Sequence, residues 1–166
     1  MIYNTIIVED EAKLREVLAV KIKKFCPELK VVDKVGTAKQ AYASIAYYKP
    51  DLVFLDIMMP GESGFELLKM FEKVNFEIIF TTGYNEYALD ALKANATDYL
   101  LKPINTVDLV AAVKKAIRRI NDKVKVLLYD QMKQKMEGRQ NEESGSDLRN
   151  FAHGSLFRGS GIRLPW

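Results

Sequence analysis

Cysteine, histidine and tryptophan each occur once in the 166 residues, and proline only five times. A single Cys26 excludes an internal disulfide framework and any multi-cysteine metal site. No stretch approaches the roughly 18 apolar residues of a membrane span. The start, Met1-Ile2-Tyr3-Asn4, places no basic region ahead of a hydrophobic segment, so no signal peptide is read and a cytoplasmic protein is expected. Gly36, Gly61, Gly64 and Gly83 stand singly at turns. There is no glycine-rich nucleotide loop, and ATP binding is not expected.

Both signs of charge are plentiful and nearly balanced overall, but the balance shifts along the chain. Residues 1–103 carry 13 Lys/Arg against 15 Asp/Glu, and residues 104–166 carry 12 against 7. The first part is mildly acidic and the rest basic. A basic end suits either contact with nucleic acid or a solvated helix face and linker.

What the chain does have is a series of short apolar runs alternating with helical periodicity. Asp51-Leu52-Val53-Phe54-Leu55-Asp56 is of strand length and unbroken, and Pro60-Gly61 ends it soon after. Such a run reads as a strand buried on both faces, the habit of parallel sheets covered by helices. Further strands are read at Thr5–Val8, Val31–Val35, Ile78–Thr82 and Asp98–Leu101. Between them come helices from Ala12 to Phe25, from Thr37 as cap to about Tyr47, from Ser63 as cap through Phe71, and from Asn85 to Asn95. A last helix opens with Thr106 as cap and carries an apolar stripe on through Val124, Leu128, Met132 and Met136. Five β–α repeats with short loops predict an α/β, doubly wound parallel sheet.

In such sheets ligands bind at the carboxyl ends of the strands. Glu9 and Asp10, Asp56, Thr82 and Lys102 all fall there. Taken singly, each has a plain alternative. Asp56 is also a turn former before Pro60-Gly61, and Glu9-Asp10-Glu11 also suits the first turn of a helix. Thr82 is also a strand terminator, and Lys102 a surface charge. Together on one edge they read as a site. Three clustered carboxylates repel unless a cation sits among them, and oxygen-only ligands favour a hard ion such as Mg²⁺. A lysine and a hydroxyl around one such aspartate suit phosphoryl transfer, with Asp56 as nucleophile becoming an acyl phosphate.

The order Glu9-Asp10-Glu11, Leu55-Asp56-Ile57-Met58-Met59-Pro60-Gly61, Thr82-Gly83 and Tyr99-Leu100-Leu101-Lys102-Pro103 resembles the receiver domain of bacterial two-component response regulators. Phe80 to Leu89 and Asn95 to Pro103 look like receivers of the LytTR (LytR/AlgR) class. The resemblance covers about residues 3–122. It implies a flavodoxin-like (CheY-like) five-stranded parallel sheet of order 2-1-3-4-5, here with an extended C-terminal helix. Asp56 then matches the phosphoacceptor, and Glu9, Asp10, Asp56 and the backbone carbonyl of Met58 match the Mg²⁺ ligands. Thr82 matches the switch hydroxyl, Lys102 the lysine that pairs with the phosphoryl group, and Tyr99 the switch aromatic. Pro103 matches a proline that follows a cis peptide bond.

The implied partners are a sensor histidine kinase and a second copy, through the face of the fourth helix, fifth strand and fifth helix. Because His153, the single histidine, lies in the tail, phosphate is expected from a partner kinase or a small acyl phosphate. No enzyme activity is expected beyond the chain's own phosphotransfer and dephosphorylation. Relatives of this class carry a LytTR DNA-binding domain, for which the residues after the receiver are too few. DNA contact is therefore expected only through an output domain not present in this chain. The expected organisation is a receiver over 1–122, a helical extension over 123–137, and a tail over 138–166 with the composition of a linker and a truncated, out-of-frame or appended end.

Two other readings are weighed. A haloacid-dehalogenase-type phosphatase wants a second aspartate two residues after its nucleophile, where this chain has Met58. A receiver-like interaction module that works without phosphorylation would tolerate a degenerate acidic site, and here the acidic residues are complete.

Overall fold

The computed structural model describes residues 1–154, with side chains to residue 139. It divides into two units, residues 1–122 and the described residues from 123 onward. The first unit alternates strands and helices: β1 (Tyr3–Val8), α1 (Ala12–Phe25), β2 (Leu29–Val35), α2 (Ala38–Tyr48), β3 (Leu52–Asp56), α3 (Gly64–Lys69), β4 (Glu77–Thr82), α4 (Ala88–Lys93), β5 (Asp98–Leu101) and the start of α5 (Thr106–Gly154). All pairings are parallel, and the sheet order is β2-β1-β3-β4-β5, the doubly wound arrangement read from the sequence.

The central strand explains why the sheet is sandwiched. Side chains alternate along a strand, so β3 sends Leu52 and Phe54 to one face and Val53 and Leu55 to the other. Leu52 and Phe54 join the core made with α1 and α5, together with Leu18, Ile22, Leu109 and Val113. Val53 and Leu55 join Ala41, Ile45, Leu67 and Ala91 from the helices opposite. All four β3 side chains are fully buried. Burying each contributes about 1.5–3 kcal/mol, so a polar substitution at any of the four is costly.

Local signals place the helices. Thr37 accepts the amide of Gln40 and caps α2. Ser63 and Glu66 form a reciprocal capping box at the start of α3. Elsewhere the structure corrects the reading. The fourth helix is shorter than Asn85–Asn95, because Asn85–Tyr87 is a 3₁₀ turn and only Ala88–Lys93 is α-helical. The cap of α5 is Asn105 and not Thr106: its side-chain oxygen accepts the Asp108 amide at 2.8 Å. In α1, Leu14, Val17 and Phe25 are substantially exposed, and Leu18 and Ile22 carry the burial. Glu9, Asp10 and Glu11 do not supply first-turn acids to α1, which begins at Ala12 and has none.

In the second unit α5 continues to Gly154, through Gly138 and the stretch whose composition reads as a linker. Val124, Leu128, Met132 and Met136 are exposed along it. The remainder of the expected tail, residues 155–166, lies outside the described residues, as does the side chain of His153. Among the described residues, no helix is long and apolar enough to cross a membrane.

Candidate functional site

Three strands end at the same place. Glu9 and Asp10 follow β1, Asp56 is the last residue of β3, and Lys102 follows β5. Carboxylate oxygens of Glu9, Asp10 and Asp56 lie within 4.8 Å of one another. The Lys102 Nζ lies 2.6 Å from Glu9 Oε2 and 3.1 Å from Asp56 Oδ2. The sheet thus gathers three acids around one base, in a position where Glu9 and Asp56 are buried and Asp10 is half-buried.

Backbone contacts hold the acids in place. The Met58 amide donates to Asp56 Oδ1 at 3.2 Å, and the Glu11 amide donates to Glu9 Oε1 at 3.3 Å. Behind Asp56, α3 comes so close that a Cβ added to Gly64 would lie 2.5 Å from the Asp56 carbonyl oxygen. Only glycine fits there, so the capping box that starts α3 is packed directly against the aspartate's backbone.

The electrostatics follow from burial and crowding. Asp56 is pushed up from its ordinary 3.8 to about 7, mainly by burial, then by the charge of Glu9, with Lys102 pulling the other way. Burial alone would lower Lys102, but its hydrogen bond to Glu9 and the charge of Asp56 outweigh that and hold it above its usual value. Three carboxylates and one ammonium leave an excess of negative charge. The donor set is all oxygen and fits a hard divalent cation such as Mg²⁺, with Glu9, Asp10 and Asp56 the residues able to hold it.

The remaining residues singled out in the sequence lie beside this cluster. Thr82, the last residue of β4, is fully buried, and its hydroxyl accepts the Tyr84 amide at 3.2 Å. The Lys102 amide donates to the Thr82 carbonyl at 2.7 Å, which ties the two strand ends together. Tyr99 on β5 is half-buried, and its hydroxyl donates to the carbonyl of Tyr84. The peptide bond between Lys102 and Pro103 is cis. The Met58 side chain is half-exposed and takes a hydrogen bond from the Tyr87 hydroxyl at 3.2 Å. Two neighbours were not legible in the sequence. Tyr84 reads only as a loop aromatic, and Arg15, which donates to the Glu9 carbonyl at 2.6 Å, reads only as a charge on the polar side of α1.

Comparison with known proteins agrees with this geometry. The model of the response regulator receiver domain family matches residues 5–114. An uncharacterized response regulatory protein of Vibrio cholerae is 38% identical over 117 residues, 70% of this chain and 49% of that protein. The sensory transduction protein LytT of Bacillus subtilis is 35% identical over 114 residues, 68% of this chain and 47% of that protein. Among solved structures, a DNA-binding response regulator of the LuxR family from Staphylococcus aureus matches with a TM-score of 0.63 and 28% identity. That match covers 69% of this chain and 98% of the other. The chain spans about half the length of the curated relatives it matches. With the family model covering most of its first unit and relatives above 30% identity on the same residues, the chain belongs to the response regulator receiver domain family of two-component signalling systems.

Proposed function

We propose that the chain is a phosphoacceptor whose Asp56 takes a phosphoryl group from a sensor histidine kinase. The observation that carries this reading is the position of Asp56 at the end of β3, 3.1 Å from Lys102 and within 4.8 Å of two further carboxylates. An Asp56 carboxylate oxygen attacks the phosphorus of a phosphohistidine; the P–N bond breaks as the P–O bond of an acyl phosphate forms. Positioning and charge neutralisation carry most of such a transfer, and the protein's part is to present the nucleophile ionised and in line. Mg²⁺, held by Glu9, Asp10, Asp56 and the backbone carbonyl of Met58, would offset the surplus charge and lower the Asp56 pKa when bound. Lys102 is the cation placed to pair with the arriving phosphoryl oxygens.

The acyl phosphate brings about two negative charges to a site already crowded with acids. Thr82 answers by turning its hydroxyl from the Tyr84 amide toward the phosphoryl group. Tyr99, whose hydroxyl rests on the carbonyl of Tyr84, moves into the space released. The two shifts bias a bistable face made of α4, β5 and α5. Large apolar side chains stand exposed on all three elements, Leu89 and Leu92 on α4, Leu101 on β5 and Val107 on α5, as expected of a surface that pairs with a second copy. The output in this reading is a LytTR-type DNA-binding segment, and the compartment is the cytoplasm.

The test is the intact mass after exposure to acetyl phosphate with Mg²⁺, beside an Asp56→Asn control. A gain of one phosphoryl group, absent without metal and absent in the control, is expected. No gain, together with no change of amide signals or oligomeric state on adding beryllofluoride, refutes the reading.

A further inference from the structure

Arg15 stands in the first turns of α1, beside the loop that carries Glu9 and Asp10. Its Nη1 donates to the backbone carbonyl of Glu9 at 2.6 Å. The Glu9 amide donates to the Val35 carbonyl at 3.0 Å. The peptide units on both sides of Glu9 are therefore held, one by the end of β2 and the other by the guanidinium. The second of these units joins Glu9 to Asp10, two of the three clustered carboxylates.

Gly36 makes room for this contact. A Cβ added there would lie 2.9 Å from Arg15 Nη1 and 3.6 Å from the Glu9 carbonyl oxygen. The guanidinium fills the space that any other side chain at position 36 would take. The loop that carries Gly36 is itself anchored, since the Gly36 amide donates to Gln40 Oε1 at 3.1 Å and Thr37 caps α2.

Three like charges within a few ångströms gain by spreading apart. The simplest relief open to a short loop is a rotation of the Glu9–Asp10 peptide, which would swing the carboxylates of these two residues away from Asp56. A charge-assisted hydrogen bond to that peptide's carbonyl opposes the rotation. We infer that Arg15 is a positioning residue for the divalent-cation site, fixing the Glu9–Asp10 peptide so that both carboxylates stay presented, and that position 36 is glycine so that the guanidinium can lie there. The inference rests on the cation site proposed above and adds the residue that prepares it.

The experiment titrates Mg²⁺ alone into the phosphate-free protein and follows the amide signals of Glu9, Asp10 and Asp56. Arg15→Met keeps the aliphatic stem and removes the donor. It is expected to weaken Mg²⁺ about tenfold, the usual cost of losing a group that orients a metal ligand, while the urea midpoint of the metal-free protein stays near that of the wild type. Gly36→Ala approaches from the other side: its methyl displaces the guanidinium and weakens Mg²⁺ while Arg15 is present. In the Arg15→Met background it adds nothing, because the two changes act through one contact.

A wild type that binds no Mg²⁺ overturns the cation site and this inference with it. A wild type that binds, with Arg15→Met binding as tightly, overturns the role of Arg15 alone. Equal losses from Gly36→Ala in both backgrounds overturn the role assigned to Gly36. If Arg15→Met does not fold, Gly36→Ala still decides: unchanged Mg²⁺ affinity in that variant refutes the contact's role.

Discussion

The two edges of the sheet both bury a carboxylate beside a cation, yet they are built for different ends. At the amino-terminal edge, Glu77 at the start of β4 meets Arg119 of α5 at 3.0 Å and the Thr97 hydroxyl at 2.5 Å. The same guanidinium donates to the carbonyls of Ala96 and Asn95. Arg119 pairs with the acid there and also ties down the turn between α4 and β5. At the carboxyl-terminal edge, three acids crowd together and, among the described residues, Lys102 is the base that pairs with their carboxylates. A balanced pair locks elements together, whereas an unbalanced cluster stores repulsion that an arriving cation can release. The number of charges, more than their kind, separates the two sites.

The sharpest way to test the crowded edge is pH, because it carries an acid raised to about 7. The folded chain holds the Asp56 proton more tightly than the unfolded chain. The stability associated with that proton is complete below about 3.8 and is lost as pH rises through about 7. Across that window the wild type should lose on the order of 4 kcal/mol relative to Asp56→Asn, which has no proton to lose. Asp56→Asn should therefore be the more stable protein at pH 8 in urea unfolding without metal, and millimolar Mg²⁺ should narrow the gap. Parallel pH profiles for the two proteins would show that Asp56 is not strained.

Breaking the balanced edge should cost nearly as much, with the opposite response to metal. Arg119→Met leaves Glu77 buried without its guanidinium and should lower stability by about 3 kcal/mol, the lower end for a buried pair because Arg119 is partly exposed. Mg²⁺ should not restore that loss, since Glu77 lies at the far end of β4 from the carboxylate cluster. A full recovery with metal would mean that the two edges are not independent.

Legibility in the sequence divides along the same line. Asp56, Thr82 and Lys102 could be placed from the sequence because each stands at the end of a short apolar strand, and a parallel sheet brings all such ends to one edge. The Glu77–Arg119 pair was invisible: its members come from distant elements, and each reads alone as a solvated charge. Arg15 was invisible for the same reason. The fourth helix was overextended because its first turn is 3₁₀ and Leu89 and Leu92 face solvent, so apolar spacing there does not report burial. Beyond residue 137, glycine and serine read as a linker, while the backbone stays helical to Gly154 among the helix-favouring Arg139, Gln140, Glu142 and Glu143.

A smaller effect is expected where the crowded edge loses Lys102. Lys102→Ala removes contacts to Glu9 and Asp56 and should cost about 2 kcal/mol in the metal-free protein. Unlike Arg119→Met, this variant should recover most of that loss in Mg²⁺, because a divalent ion supplies the missing positive charge. Its switching should remain weak even so: beryllofluoride should shift the amide signals of α4 and β5 less than in the wild type. Full shifts in the alanine variant would remove Lys102 from the switch.

The smallest effect tests whether the balanced edge depends on charge or on hydrogen bonding. Thr97→Val keeps the shape of the side chain and deletes the hydroxyl that donates to Glu77 Oε2. Because Arg119 Nε reaches the same oxygen at 3.0 Å, Glu77 retains a partner, and the loss should be about 1 kcal/mol. The Arg119→Met/Thr97→Val double variant should lose more than the two single variants added together, since Glu77 Oε2 would then lose both the hydroxyl and the guanidinium. A strictly additive result would mean that the hydroxyl and the guanidinium act on Glu77 separately, and that the lock at this edge is two contacts side by side instead of one unit.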